Sequence, residues 1–332
     1  MRLENLLALT HGKLINEPFV NSFLNIVFDI KSLKRGDLFI AFDEEMIEEA
    51  VLHGAYGILF DKPTQISDSE IAWIKVESLE DALKRLLRFR LIEKEVIAYK
   101  CNEVTLKLAL QIITEPSFVA INGDIKSLYN SLWEIDAKSI VLFSPALSEG
   151  SIFTEVRELP RLTNTTINII EKTLFETSFI YDDVFYERQL ISPFFIPYLN
   201  ELLNLFKSQK INFRLRKFTP IEHFEAVFTN KNLEFKEFGA SDKVLIFEKN
   251  TSLIKSEIGY LQKNATWAKI IYVLPFLKSD DFIDDENCFS YKNEKDIRAI
   301  LLQNSFHFAL IVGIDKSFLD KPIPYQTQLT LF

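Results

Sequence analysis

The residues most telling about chemistry in this chain lie between Ile97 and Lys107. Ile97-Ala98-Tyr99 reads as a strand and the run from Glu103 as a helix, the layout in which backbone N–H groups can cradle phosphate. That chemistry needs glycine, because only a backbone without Cβ lets several N–H groups turn onto one anion. The connection here is Lys100-Cys101-Asn102-Glu103-Val104-Thr105, which holds no glycine, and Glu103 sets a negative charge where a phosphate would lie. Lys100 and Lys107 are the nearby cations. The chain has nine glycines in 332 residues, against an average usage of about 7%. No G-x-x-x-x-G-K-[ST] run exists in it.

Other candidate chemistry is thinner. His11, His53, His223 and His307 share no metal-ligand spacing with each other or with Cys101 and Cys288. Asp182-Asp183, and Asp280-Asp281 with Asp284-Asp285, would attract a divalent cation but lack the spacing of a calcium loop, so they read as solvated loop charges. Without a G-x-S-x-G run, a serine hydrolase has no support. No catalytic residue and no metal ligand is assigned.

Bulk properties narrow the class. A length of 332 residues suggests two or three domains, and 48% hydrophobic with 26% charged residues is ordinary globular composition. A net charge of −9 argues against direct nucleic-acid binding. The local run Arg214-Leu215-Arg216-Lys217 reads as a solvated strand edge. Two cysteines fit a reduced compartment. The start Met1-Arg2-Leu3-Glu4-Asn5 carries early charges unlike a signal peptide, and no uncharged apolar stretch is long enough to span a bilayer. The expectation is a cytoplasmic protein with no membrane partner.

The expected fold class is α/β. Residues 24–30 and 37–42 read as strands flanking a Lys-Arg-Gly turn, 44–54 as a short helix, 56–60 as a buried strand and 78–91 as a helix capped by Ser78. From residue 95 a β-α-β-α-β run (96–99, 103–113, 117–121, 124–135, 138–143) predicts a parallel sheet. Residues 151–191 read as strands with a hairpin tip at Tyr181-Asp182-Asp183, followed by a helix at 195–207. Strands 243–248, 268–274 and 308–314 alternate with helices 252–264 and 294–304. The expected division is 1–94, 95–212, 213–320 and an exposed tail 321–332.

With the elements in order, Asp29-x-x-Ser32-Leu33-Lys34-Arg35-Gly36-Asp37-Leu38-Phe39-Ile40-Ala41 resembles the opening D-S-R-x-V-x-P-G-D-L-F-V-A-L of Mur ligases. These enzymes join amino acids or peptides to UDP-N-acetylmuramoyl precursors of peptidoglycan. Ala50 to Ala55 matches their A-x-x-x-G-A, and Ala82, Leu83 and Arg90 keep the register of a later helix. The nearest branch is the one that adds D-alanyl-D-alanine. The resemblance implies three domains: a small mixed UDP-binding-like domain, a reduced ATPase-like domain and a C-terminal Rossmann-like domain. It also implies that Asp29, Lys31, Ser32 and Asn200 are what remains of a substrate site.

The departures fall on the chemistry. Where the family carries T-G-x-N-G-K-T, this chain has Tyr99 to Thr105, with Val104 at the lysine position. The family arginine of G-R-x-E has become Ala226 or Val227, and D-D-x-Y-N-A-N-P appears as Phe247-Glu248-Lys249-Asn250-Thr251-Ser252. No cofactor is therefore expected, and ATP with Mg²⁺ enters only if the chain is a divergent ligase. The end of the sequence differs in kind. Gln328-Leu329-Thr330-Leu331-Phe332 is similar to the Q-L-[SD]-L-F peptide by which bacterial proteins bind the DNA-polymerase sliding clamp. In that mode Leu331 and Phe332 would fill an apolar pocket, and Gln328 and Leu329 would add contacts beside it. The resulting expectation is a non-catalytic adaptor partnered by the clamp, with peptidoglycan precursors or Mur enzymes as further partners. The alternative is an ATP-dependent peptidoglycan-precursor ligase.

Overall fold

The computed structural model describes residues 1–121, 125–144, 152–160, 165–237, 240–276 and 286–320. Its first sheet is built from short strands of mostly buried residues. Helix α1 (Leu3–Thr10) leads into β1 (Lys13–Leu14), β2 (Ile26–Val27), β3 (Leu38–Ile40), helix α2 (Ile47–Leu52), β4 (Gly57–Phe60), β5 (Ala72–Lys75) and helix α3 (Leu79–Glu93). The strand order is β1-β5-β4-β3-β2, with β1 antiparallel to β5 and the other pairs parallel. The two strands expected around the Lys-Arg-Gly turn are thus parallel neighbours, Ile26 opposite Leu38. A 3-10 turn at Ile30–Ser32 and the turn at Gly36 carry the chain back between them. Ser78 caps α3 as its sequence suggests, accepting the Asp81 N–H at 3.2 Å.

The second sheet follows the expected alternation. β6 (Ile97–Lys100), helix α4 (Glu103–Ile112), β7 (Phe118–Ile121), helix α5 (Ile125–Trp133), β8 (Ile140–Phe143) and β9 (Val156–Glu158) give the all-parallel order β7-β8-β6-β9. Leu83, Leu86 and Leu87 of α3 share one hydrophobic core with Leu128, Tyr129 and Leu132 of α5. The boundary drawn near residue 95 therefore runs through a common core.

A separate unit holds the rest. β10 (Asn168–Lys172), β11 (Thr177–Tyr181) and β12 (Val184–Gln189) form an antiparallel meander. Its hairpin tip has Asp182 and Asp183 at φ 46° and 60°, the left-handed pair that a tight two-residue hairpin requires. Helix α6 (Ile196–Gln209) follows. Then come β13 (Glu225–Thr229), β14 (Lys243–Glu248), helix α7 (Ile254–Asn264), β15 (Ile270–Pro275), β16 (Cys288–Tyr291), helix α8 (Glu294–Gln303) and β17 (Phe308–Val312). This sheet runs β13-β14-β17-β15-β16, antiparallel only at β13. Packing groups Met1–Pro160 with Gln209–Phe213, and Arg161–Ser208 with the chain from Arg214 onward. The meander and α6 thus go with the C-terminal sheet. Among the described residues no helix is long and apolar enough to cross a membrane.

Candidate functional site

Only Cys101 and Asn102 separate β6 from α4. Asn102 is the N-cap: its Oδ1 accepts the Thr105 N–H at 2.8 Å. The Cys101 N–H donates to Phe143 O at 2.9 Å, and its thiol is buried, which pushes its pKa up to about 12. Glu103 pairs with Lys107 at 3.5 Å along the helix. Val104 and Thr105 are fully buried. A helix N-terminus holds phosphate by offering its first N–H groups and its positive dipole end. Here one of those groups is taken by Asn102, a carboxylate stands at the first helical position, and no loop is long enough to wrap an anion. ATP and Mg²⁺ do not fit this arrangement.

Thr105 bears on the same question. It stands at the last position of the T-G-x-N-G-K-T motif in the resemblance, and its hydroxyl is buried and makes no hydrogen bond. A buried unsatisfied hydroxyl destabilises, so Thr105→Val is expected to raise stability by about 1 kcal/mol in urea melts. A Thr105 that needed its hydroxyl for a ligand would instead show loss of that binding with no gain in stability.

The residues read as a vestigial substrate site separate into two places. In the first unit a cavity of about 350 Å³ is lined by Phe28, Asp29, Lys31, Phe42, Glu49 and Lys126, among others. Asp29 caps the 3-10 turn by accepting the Lys31 N–H at 3.1 Å, and Ser32 donates its hydroxyl to the Asp29 carbonyl at 2.8 Å. Both polar groups thus hold the turn. The cavity's ring wall is Phe28 and Phe42, 6.1 Å apart and inclined by 30°, with Lys126 Nζ 4.4 Å from the Phe42 centroid. Phe42 ends the run 37–42 that reads as a strand, and Lys126 comes from the first turn of α5. No local signal ties Lys126 to Asp29, because the two meet only through the packing of the first unit.

Asn200 lies in the second unit and does structural work there. Its Oδ1 accepts both the N–H and the hydroxyl of Thr166, at 2.9 and 2.8 Å, fastening that segment to α6. The segment Phe247 to Ser252 ends β14. Its Glu248 is buried and accepts from His223 Nδ1 at 2.7 Å, Phe224 N at 3.0 Å and Asn250 N at 2.6 Å. Asp182 receives Lys207 Nζ at 2.8 Å. Asp280, Asp281, Asp284, Asp285 and the tail residues Gln328, Leu329, Leu331 and Phe332 lie outside the described residues.

No family model matches the sequence, and no curated protein does. Among solved structures the chain is similar to MurF from Acinetobacter baumannii, with a TM-score of 0.55 and 9% identity over 94% of this chain and 95% of that one. It is also similar to MurF ligase from Thermotoga maritima in complex with ADP, with a TM-score of 0.52 and 11% identity over 89% of this chain and 95% of that one. At such identity the likeness speaks to fold alone. With four sheets and their intervening helices among the described residues, the chain has a Mur-ligase-like multidomain α/β fold.

Proposed function

We propose that the chain is a Mur-ligase-fold binding protein, an adaptor that does not run ATP-driven ligation. The observation that carries this reading is the closed N-terminus of α4, with Asn102 on the Thr105 N–H and Glu103 at the first helical position. Millimolar Mg-ATP is expected to leave the melting midpoint unchanged. A ligand at a hundred times its Kd adds about 2.7 kcal/mol to the folded state, so a rise of several degrees would overturn the reading. Phosphate release in the presence of a UDP-muramoyl peptide and D-alanyl-D-alanine would overturn it as well.

A second reading is a divergent ATP-dependent peptidoglycan-precursor ligase of the D-alanyl-D-alanine-adding type. The fold comparisons taken by themselves favour it, because both neighbours are MurF proteins matched over nearly their whole length. The cavity beside Asp29 and Lys31 would then take the sugar nucleotide, and phosphate contacts of another kind would replace the lost loop. The same two assays separate the readings. A UDP-muramoyl peptide that raises the midpoint without any phosphate release would point to a precursor-binding scaffold, the adaptor reading with its cavity still in use.

The adaptor's partner is proposed from the tail sequence. Gln328, Leu329, Leu331 and Phe332 have the chemistry of a sliding-clamp peptide, two apolar anchors beside a hydrogen-bonding glutamine. Titration calorimetry with purified clamp should give saturable binding that is lost in the variant Leu331→Ala with Phe332→Ala. Equal heats from both proteins would remove the clamp from the proposal. Mur enzymes as partners would be found by co-purification.

A further inference from the structure

The aromatic residues of the second unit are most simply read from sequence as core, and most of the described ones are buried or half-buried. Trp267 is not: it is 70% exposed, whereas Trp73 is completely buried. Trp267 stands at a cavity of about 380 Å³ lined in part by Phe175, Phe228, Phe308, Asn264 and Lys172. That volume falls within the range of small-molecule sites, about 300–1,000 Å³. The rings meet edge to face: Phe175 lies 6.2 Å from Phe228 at 89° and 6.2 Å from Phe308 at 61°, and Trp267 lies 5.8 Å from Phe308 at 69°. In each such contact the edge of one ring rests on the face of the other, which holds both in place.

The position is also informative. Phe308 begins β17 and Val244, another lining residue, lies at the start of β14, so the cavity opens at the amino ends of the parallel strands. Ligands of open α/β sheets bind outside the carboxyl ends. This cavity is at the other end, where that rule does not place a ligand. Its electrostatics select the ligand. Lys172 is exposed and carries the only formal charge among the described lining residues. A cation would be repelled by it, although the rings alone would welcome one.

We propose that this cavity binds a planar aromatic anion, its ring system against Trp267 and Phe308 and its anionic group on Lys172. The proposal does not depend on whether the chain is an adaptor or a ligase. The test titrates the full chain with two fluorescent probes, anilinonaphthalene sulfonate and its uncharged analogue phenylnaphthylamine. The wild type should bind the sulfonate saturably, one per chain. Trp267→Ala should weaken both probes about tenfold, the loss of roughly one good ring contact. Lys172→Glu should weaken the sulfonate about fivefold or more and leave the uncharged probe unchanged. Both positions are exposed, so melting midpoints should stay at the wild-type value and confirm folded protein. Absent or non-stoichiometric binding, or sulfonate binding untouched by Trp267→Ala, would overturn the site. Equal response of the two probes to Lys172→Glu would overturn the choice of an anion.

Discussion

Replacing Glu257 by Gln is expected to stabilise the protein, and by more as pH rises. Glu257 lies on α7 and is completely buried. Burial, and after it the negative charge of Glu248 and a side-chain hydrogen bond with it, hold its pKa far above the ordinary 4.5. The Glu248 carboxylate accepts from His223, Phe224 and Asn250. From α6, Tyr198 faces Glu257 and also feels Glu201, and both of those groups are themselves raised, chiefly by burial. The folded chain therefore keeps a proton that the unfolded chain gives up above its ordinary value. Stability from this group is complete below that value and declines as pH climbs toward the raised one, by about 1.4 kcal/mol per pH unit at most. The glutamine amide of the variant has no proton to lose. The variant should match the wild type near pH 4.5 and exceed it by roughly 3 kcal/mol at pH 7. Urea melts across that interval measure the difference, and a difference that does not change with pH would mean that Glu257 is ionised in the folded protein.

Neither Glu257 nor its neighbours announce themselves in the sequence. A glutamate within a helical period reads as a surface residue, and its burial is set by α6 and by the segment around His223, both distant in the chain. The same holds for Lys126, which meets Phe42 only after α5 has packed. What can be read locally is the alternation from residue 97 to 143. Each apolar run there is bounded by a helical period, and short crossovers leave a parallel sheet as the simple outcome. The hairpin at Asp182-Asp183 is legible too, because aspartate tolerates the left-handed backbone. β5 is harder to read. Ala72, Trp73 and Ile74 are buried together, and a strand covered on both faces gives a short apolar run, not an alternation. The closed α4 terminus stands between these cases. The absence of glycine is visible in the sequence, whereas the turning of Asn102 onto the Thr105 N–H is a fact of geometry.

The Gly36-Asp37-Leu38-Phe39 run, which carries most of the likeness in sequence, owes its form to folding. Gly36 adopts φ +102°, and a Cβ there would lie 2.8 Å from Leu24 Cδ1. Asp37 is buried; its Oδ1 accepts from Asn25 N and Asn25 Nδ2, both at 3.0 Å, and its Oδ2 from Lys34 N at 2.9 Å. One carboxylate thereby ties the approach to β2 and the turn before β3, which sets the register of Ile26 opposite Leu38. Hydrogen bonds to a charged group contribute about 1.5–3 kcal/mol each but do not add fully. Asp37→Ala leaves three donors unmatched and should cost about 3 kcal/mol, while Asp37→Asn keeps an acceptor for Asn25 and should cost roughly half as much. The Asp29 cavity draws on the same strands, through Phe39 and Ile40 of β3, so Asp37→Ala should also weaken any ligand found there. Equal stability of the alanine variant and the wild type in urea would show that the run is kept for binding and not for the turn it forms.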